Sequence, residues 1–164
     1  MIGLDVYSVL YSLLSRHRIV LLKEIDGPRF LPIWIGQHEA EAIAMHLQKM
    51  SVPRPLTHDT LLNVTLGLGG IIQYIVVNDL SNGTFYARIA IEHDGELQLI
   101  DSRPSDAIAL AVRASVPIYA EESVMENASI APSPEIVVAA PQRDDNLDVF
   151  RDFVNTLDPD KPGE

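Results

Sequence analysis

A chain of 164 residues of which 47% are hydrophobic can build one core and has no need of a second. It has no cysteine, which excludes disulfides, thiolate zinc sites and a cysteine nucleophile. Its net charge of −11 argues against a grip on nucleic acid made by many lysines and arginines, but the charge is uneven: residues 1–118 carry 12 acids and 9 bases, whereas residues 119–164 carry 11 acids and 3 bases.

The apolar runs, such as 19–22 and 71–77, are too short to span a bilayer, and the first residues lack a basic stretch followed by an apolar one. A soluble, cytoplasmic protein with no membrane association is expected. Loose alternation over 2–14 predicts a first strand. Residues 18–25 and 29–35 are β-branched and apolar around Asp26-Gly27, a hairpin signal. Gly36 then breaks the run, and the period of Ala40, Ile43, Ala44, Leu47 and Met50 predicts a helix over 39–50.

Two prolines in Ser51-Val-Pro-Arg-Pro55 forbid helix continuation. Thr57 is a good N-cap for a helix over about 58–67, with glycines at its end. Strands over 71–80, 84–92 and 97–100, divided by Asn82-Gly83 and Asp94-Gly95, predict a three-stranded meander. The polar corner Asp101-Ser-Arg-Pro-Ser-Asp106 opens an amphipathic helix that ends before Pro117-Ile-Tyr119, followed by a short acidic helix over 121–127. Residues 129–143 read as a linker or mobile loop, and 144–164 as an acidic helix with a disordered end. The pattern is α+β: a mixed, largely antiparallel sheet with helices packed on it in 1–128, plus a C-terminal helix. An echo, Glu41-Ala-Ile-Ala with Ser51-Val-Pro53 against Asp106-Ala-Ile-Ala with Ser115-Val-Pro117, is either a coincidence of alanine-rich helix starts or a sign of two related strand–helix halves.

Glu39, Glu41, Asp59, Asp101 and Asp106 all lie at predicted helix starts or at strand ends before them. Hard oxygen ligands converging on Mg²⁺ or Mn²⁺ would suit metal-assisted phosphodiester hydrolysis; equally, each acid could simply complement a helix dipole. His38 and His58 each neighbour an acid and precede a predicted helix, as a general base or a metal ligand would, or they are simply exposed. Arg54 and Arg103 flank prolines in rigid corners, where a guanidinium could clamp a phosphate or pair internally. Ser102 and Ser105 read most simply as helix caps. Trp34 and Tyr86 read as packing residues of strands.

Leu31-Pro-Ile-Trp-Ile-Gly36 with Glu39-Ala40, Arg54-Pro-Leu-Thr-His-Asp59, Gly83-Thr-Phe-Tyr-Ala87, Ser102-Arg-Pro-Ser-Asp-Ala-Ile-Ala-Leu-Ala111 and Val116-Pro-Ile-Tyr119 occur in one order. Together they resemble the bifunctional nuclease domain family over about residues 18–126, and the acidic tail resembles an extension found in actinobacterial members. The resemblance implies a self-associating α+β domain, expected as a dimer, that acts on RNA and DNA. It marks Arg54, Thr57, Ser102 and Ser105 as candidate substrate-binding positions. The expectation is a nuclease with Glu39, Asp59 and Asp106 as possible metal ligands, His58 as base and Arg103 as phosphate clamp. The alternative is a non-catalytic domain with a small-anion or partner site.

Overall fold

The structure, a computed structural model, describes residues 1–11 and 17–131. Three strands, β1 (Ile2–Tyr11), β2 (Arg18–Glu24) and β3 (Phe30–Ile35), lead into helix α1 (Gln37–Leu47). After α2 (Thr57–Gly67), three more strands, β4 (Ile71–Ser81), β5 (Thr84–His93) and β6 (Glu96–Ser102), lead into α3 (Pro104–Ala114). A short β7 (Ile118–Ala120) and α4 (Glu122–Ala128) complete the described fold. All seven strands form one sheet in the order β3-β2-β1-β7-β4-β5-β6. The chain is α+β with a mixed sheet, as expected.

Two antiparallel meanders, each ending in a helix, are joined by β7, which pairs antiparallel with β1 and parallel with β4. The two halves suggested by the sequence echo are thus visible in topology. Their burial keeps the echo's register, with Ala42-Ile43 and Ala107-Ile108 all buried.

The turns show how local chemistry sets these meanders. Asn82-Gly83 and Asp94-Gly95 all have positive φ, between 50° and 80°, the conformation that two-residue hairpins with the strands' own twist require. Asp26-Gly27 correctly marks a hairpin, but the connection runs from Ile25 to Arg29. It is fastened by Arg29, whose Nε donates to Glu24 at 2.8 Å and whose Nη1 donates to Glu122 at 2.8 Å. These contacts hold the Glu24 carboxyl below its ordinary pKa range, the hydrogen bond from Arg29 being the largest cause.

Helix α3 organises the core. Ala107, Ile108, Ala109, Leu110 and Ala111 are all buried, and a helix apolar on every side can only be stable when enclosed. Its small residues let α1 and α2 pack on one side while β4 and β5 cover the other. Burying Ile108 and Leu110 contributes about 1.5–3 kcal/mol each.

Several sequence expectations shift. The first strand is described over Ile2–Tyr11, and the end of its predicted span, 12–14, lies outside the described residues; α1 ends before the left-handed Lys49 (φ 53°) instead of reaching Met50. Strand β6 extends through Ser102, so Asp101 is an exposed strand residue opposite Arg88, outside the helix-start cluster. The segment after α4 is not free at its start: Phe30 N–H donates to Ile130 O at 2.9 Å, and Ile130 N–H returns a bond at 2.8 Å. The predicted remainder of the linker and the tail helix lie outside the described residues. No helix among the described residues is long and apolar enough to cross a membrane.

Candidate active site

The N-termini of α1, α2 and α3 each bring an acid to their first turn: Glu39, Asp59 and Asp106. A first-turn acid faces unpaired backbone N–H groups, which favours its ionised form. Glu39 shows this most directly, because its own backbone N–H is the largest cause lowering its pKa, with Arg103 adding to it against the opposing effect of burial. A Cβ on Gly36 would collide with this carboxylate, so the glycine at the helix cap makes room for Glu39 to fold back. Gly36→Ala is therefore expected to leave the protein folded, at a cost below about 1 kcal/mol. It should displace Glu39 from Arg103, which a crystal structure of the variant would show.

Arg103 joins two of these helix starts. Its Nε donates to Asp106 Oδ2 at 2.7 Å, and its Nη2 donates to Glu39 Oε1 at 2.6 Å. The second Asp106 oxygen, Oδ1, lies 2.9 Å from His58 Nε2. An ionised carboxylate only accepts, so Nε2 carries the donated proton. The result is a continuous polar chain, Glu39–Arg103–Asp106–His58, drawn from three helices. Burial acts most strongly on Asp106 and pushes its pKa up, but the bonds from His58 and Arg103 outweigh it and leave the group below the usual range. Arg103 is correspondingly raised, first by its bond to Asp106.

His58 does not occupy the position of a general base open to substrate. It is buried, and its other nitrogen, Nδ1, is enclosed without a hydrogen-bond partner. Its contact is with Asp106, which it orients.

Asp59 belongs to a second network. Arg113, only 4% exposed, donates through Nε to Asp59 Oδ1 at 2.6 Å. Its Nη1 and Nη2 donate to the carbonyls of Ala109 (2.8 Å) and Ala42 (3.1 Å). Asp59 Oδ2 accepts from Leu56 N–H at 2.8 Å. Burial raises the Asp59 pKa, and the Leu56 and Arg113 bonds bring it below normal. The expected grouping of Glu39, Asp59 and Asp106 as metal ligands does not fit this arrangement, because the first and third share Arg103 while Asp59 is committed to Arg113. Among the described residues no group of three or more His, Cys, Asp or Glu could hold a metal ion.

Four carboxylates with depressed pKa values, these three and Glu24, make the fold acid-sensitive in a defined direction. Their contribution is complete above the ordinary carboxylate range, near pH 4, and is lost as pH falls through their lower folded values. Thermal unfolding followed by circular dichroism should show a midpoint that declines between about pH 5 and pH 3.

The remaining sequence candidates separate. Arg54 and Thr57 are exposed, with no partner among the described residues for the Arg54 guanidinium. Leu56, not Thr57, is the cap residue of α2, and the Asp59 carboxylate takes the capping role. Neither serine caps α3: Ser102 Oγ donates to Arg103 O at 3.0 Å, and Ser105 is buried. His38 is exposed, and Glu41 pairs with Gln37.

Arg103 and Ser105 also line a cleft of about 740 Å³ with Trp34, Gly36, Thr84 and Phe85. Residues of β3 and of the β4–β5 turn thus both contribute to its lining. Sequence reasoning missed Arg113 and Gly36. Arg113 had one signal, being the sole lysine or arginine between Arg103 and Arg143 and lying in a helix otherwise apolar after its first turn.

An uncharacterized protein of Mycobacterium tuberculosis (strain ATCC 25618 / H37Rv) is 40% identical over 144 residues, covering 87% of this chain and 86% of that protein. Bifunctional nuclease 1 of Oryza sativa subsp. indica is 26% identical over 114 residues, covering 68% of this chain and about a third (34%) of the rice protein. Bifunctional nuclease of Oryza minuta matches to the same extent. The bifunctional nuclease domain profile matches residues 20–133, which span the sheet from β2 onward and all three helix starts of the site. The chain belongs to the bifunctional nuclease domain family.

Proposed function

We propose that this protein is a nuclease that binds and hydrolyses phosphodiesters of RNA or DNA beside Arg103. The observation that carries this reading is the Glu39–Arg103–Asp106–His58 chain, whose Arg103 lines a cleft. Arg103 is 65% exposed although it holds two carboxylates, so its outward N–H groups are available to a phosphate oxygen. Asp106 and Glu39 are the groups placed to accept a proton or orient water once Arg103 engages phosphate. His58 acts through Asp106 as a positioning residue. In the metal-assisted form of this reading, Glu39 and Asp106 would hold the ion. Mg²⁺ is commonly bound through one or two carboxylates together with substrate phosphates, and there it would neutralise developing charge.

The internal pairing of all three acids favours a second reading, a non-catalytic domain that binds an anion at Arg103. Cleavage of single-stranded RNA and DNA oligonucleotides by the purified protein in Mg²⁺, Mn²⁺ and EDTA decides between them. The nuclease reading expects products, reduced at least about 100-fold in a Glu39→Gln, Asp106→Asn double variant. Binding with no cleavage in any condition would establish the second reading.

Self-association belongs to the same proposal. Its support is α2, in which Leu61 and Val64, three residues apart on one face, are each close to half exposed. Exposed apolar side chains grouped on one face are characteristic of an interface. A second copy packed there would brace the helix that carries His58 and Asp59.

A further inference from the structure

The cleft beside Arg103 is built for more than a phosphate. Its walls are mainly apolar, from Pro32, Ile33 and Ile35 of β3 to Leu80 and Phe85 of β4 and β5. Trp34, the single tryptophan of the chain, lines it and is 37% exposed. Pro32, which shares its face of β3, is buried, whereas Trp34 keeps ring surface exposed. Among the described residues that line it, Arg103 is the sole lysine or arginine. Its Nε and Nη2 are engaged by carboxylates, and its remaining donors face outward.

One stacking surface and one guanidinium beside an apolar cleft match the recognition of an unpaired nucleotide, in which an aromatic ring carries the base and a cation takes the phosphate. They do not match a duplex, whose affinity comes from many cations tracking two phosphate backbones; the body of this chain is close to neutral. The cleft volume of about 740 Å³ also suits a small ligand, since such sites span about 300–1,000 Å³. Resting on the nuclease reading of the same site, we propose that its substrate is single-stranded nucleic acid, with one base stacked on Trp34 and the adjoining phosphate on Arg103.

Because Trp34 is the one tryptophan, its emission reports the site without labelling. Full-length protein in EDTA should show saturable quenching by a thymidine hexanucleotide, with at least tenfold weaker binding of a blunt duplex. The affinity should fall with salt at a log–log slope near −0.7, the value for one phosphate on a single strand. Anisotropy of a labelled hexanucleotide should show at least about tenfold weaker binding to Trp34→Ala and near-native binding to Trp34→Phe, which keeps an aromatic face.

Equal affinity for duplex, unchanged tryptophan emission at saturation, or equal binding of an abasic hexanucleotide would each overturn the proposal. Should Trp34→Ala fail to fold, the wild-type emission and the phenylalanine variant still decide it. The outcomes also separate the two readings. Cleavage with unaltered KM in Trp34→Ala removes the stacking site and leaves the nuclease, whereas tryptophan quenching with no cleavage keeps the binding site and removes hydrolysis.

Discussion

Replacing Arg113 by methionine is expected to destabilise the protein by about 3 kcal/mol, the lower end of the range for breaking a buried ion pair. For a chain of this size that corresponds to a fall in thermal midpoint of about 6–12 °C. Arg113 is almost fully enclosed, and its three nitrogen donors each have a different acceptor: the Asp59 carboxylate, the Ala109 carbonyl and the Ala42 carbonyl. It therefore ties α3 to α1 and α2 at one point. Methionine fills the volume of the stem but takes the guanidinium from the Asp59 carboxylate and removes the additional bonds to two helix carbonyls, and a partly enclosed charge that loses its partner carries a desolvation cost. Lysine should not rescue the variant, because a single ammonium cannot reproduce a planar fork reaching three acceptors. Differential scanning calorimetry checks this directly. A midpoint within 2 °C of wild type would show that α3 is held to α1 and α2 by apolar packing alone.

The second large effect belongs to Arg103. Arg103→Ala is expected to lower kcat/KM on a single-stranded oligonucleotide about 10²–10³-fold, the usual loss when a preorganised donor to a developing negative charge is removed. Stability should change by less than about 1 kcal/mol, because the side chain is largely in solvent and exposed ion pairs contribute little. The contrast with Arg113 is the informative part. Both residues are arginines of the same helix region paired with first-turn acids, yet one is enclosed and the other faces solvent. Arg103→Lys should recover only a small part of the rate, since a point charge cannot span Glu39 and Asp106 while leaving donors for phosphate. Adding Glu39→Gln to Arg103→Ala should have little further effect, because residues that act as one unit are not additive.

Much of the architecture was legible in local chemistry. Asn82-Gly83 and Asp94-Gly95 specified their hairpins because few other residues adopt those backbone angles without strain. The pause at Gly36 and the prolines around Arg54 and Arg103 fixed where helices begin. What single positions could not reveal was partnership across the fold. Asp59 and Asp106 look alike in sequence, each being the acid in the first turn of a helix. Their roles diverge because Arg113, seven residues beyond Asp106, turns inward to one while Arg103 bridges the other to Glu39.

The echo between the two halves carried a related ambiguity. It aligned Glu41 with Asp106, and the buried faces of the helices keep that alignment. The acid that meets Arg103 is nevertheless Glu39, because it stands at the third position of its helix, as Asp106 does in α3. His58 illustrates the opposite error. A histidine beside an acid at a helix start reads as an accessible base, and only burial shows that it serves Asp106 instead. Trp34 likewise read as a packing residue until its exposure placed it on the cleft wall.

The claim on which the functional reading depends is that a substrate phosphate meets Arg103 and not another cation of the chain. Selective observation of the arginine Nε–H signals by ¹⁵N NMR, while a thymidine hexanucleotide is titrated in EDTA, tests it most directly. Arg103 should shift progressively and saturate with the binding curve, while the enclosed Arg113 stays in place. An Arg103 signal that does not move while the oligonucleotide binds would contradict the account.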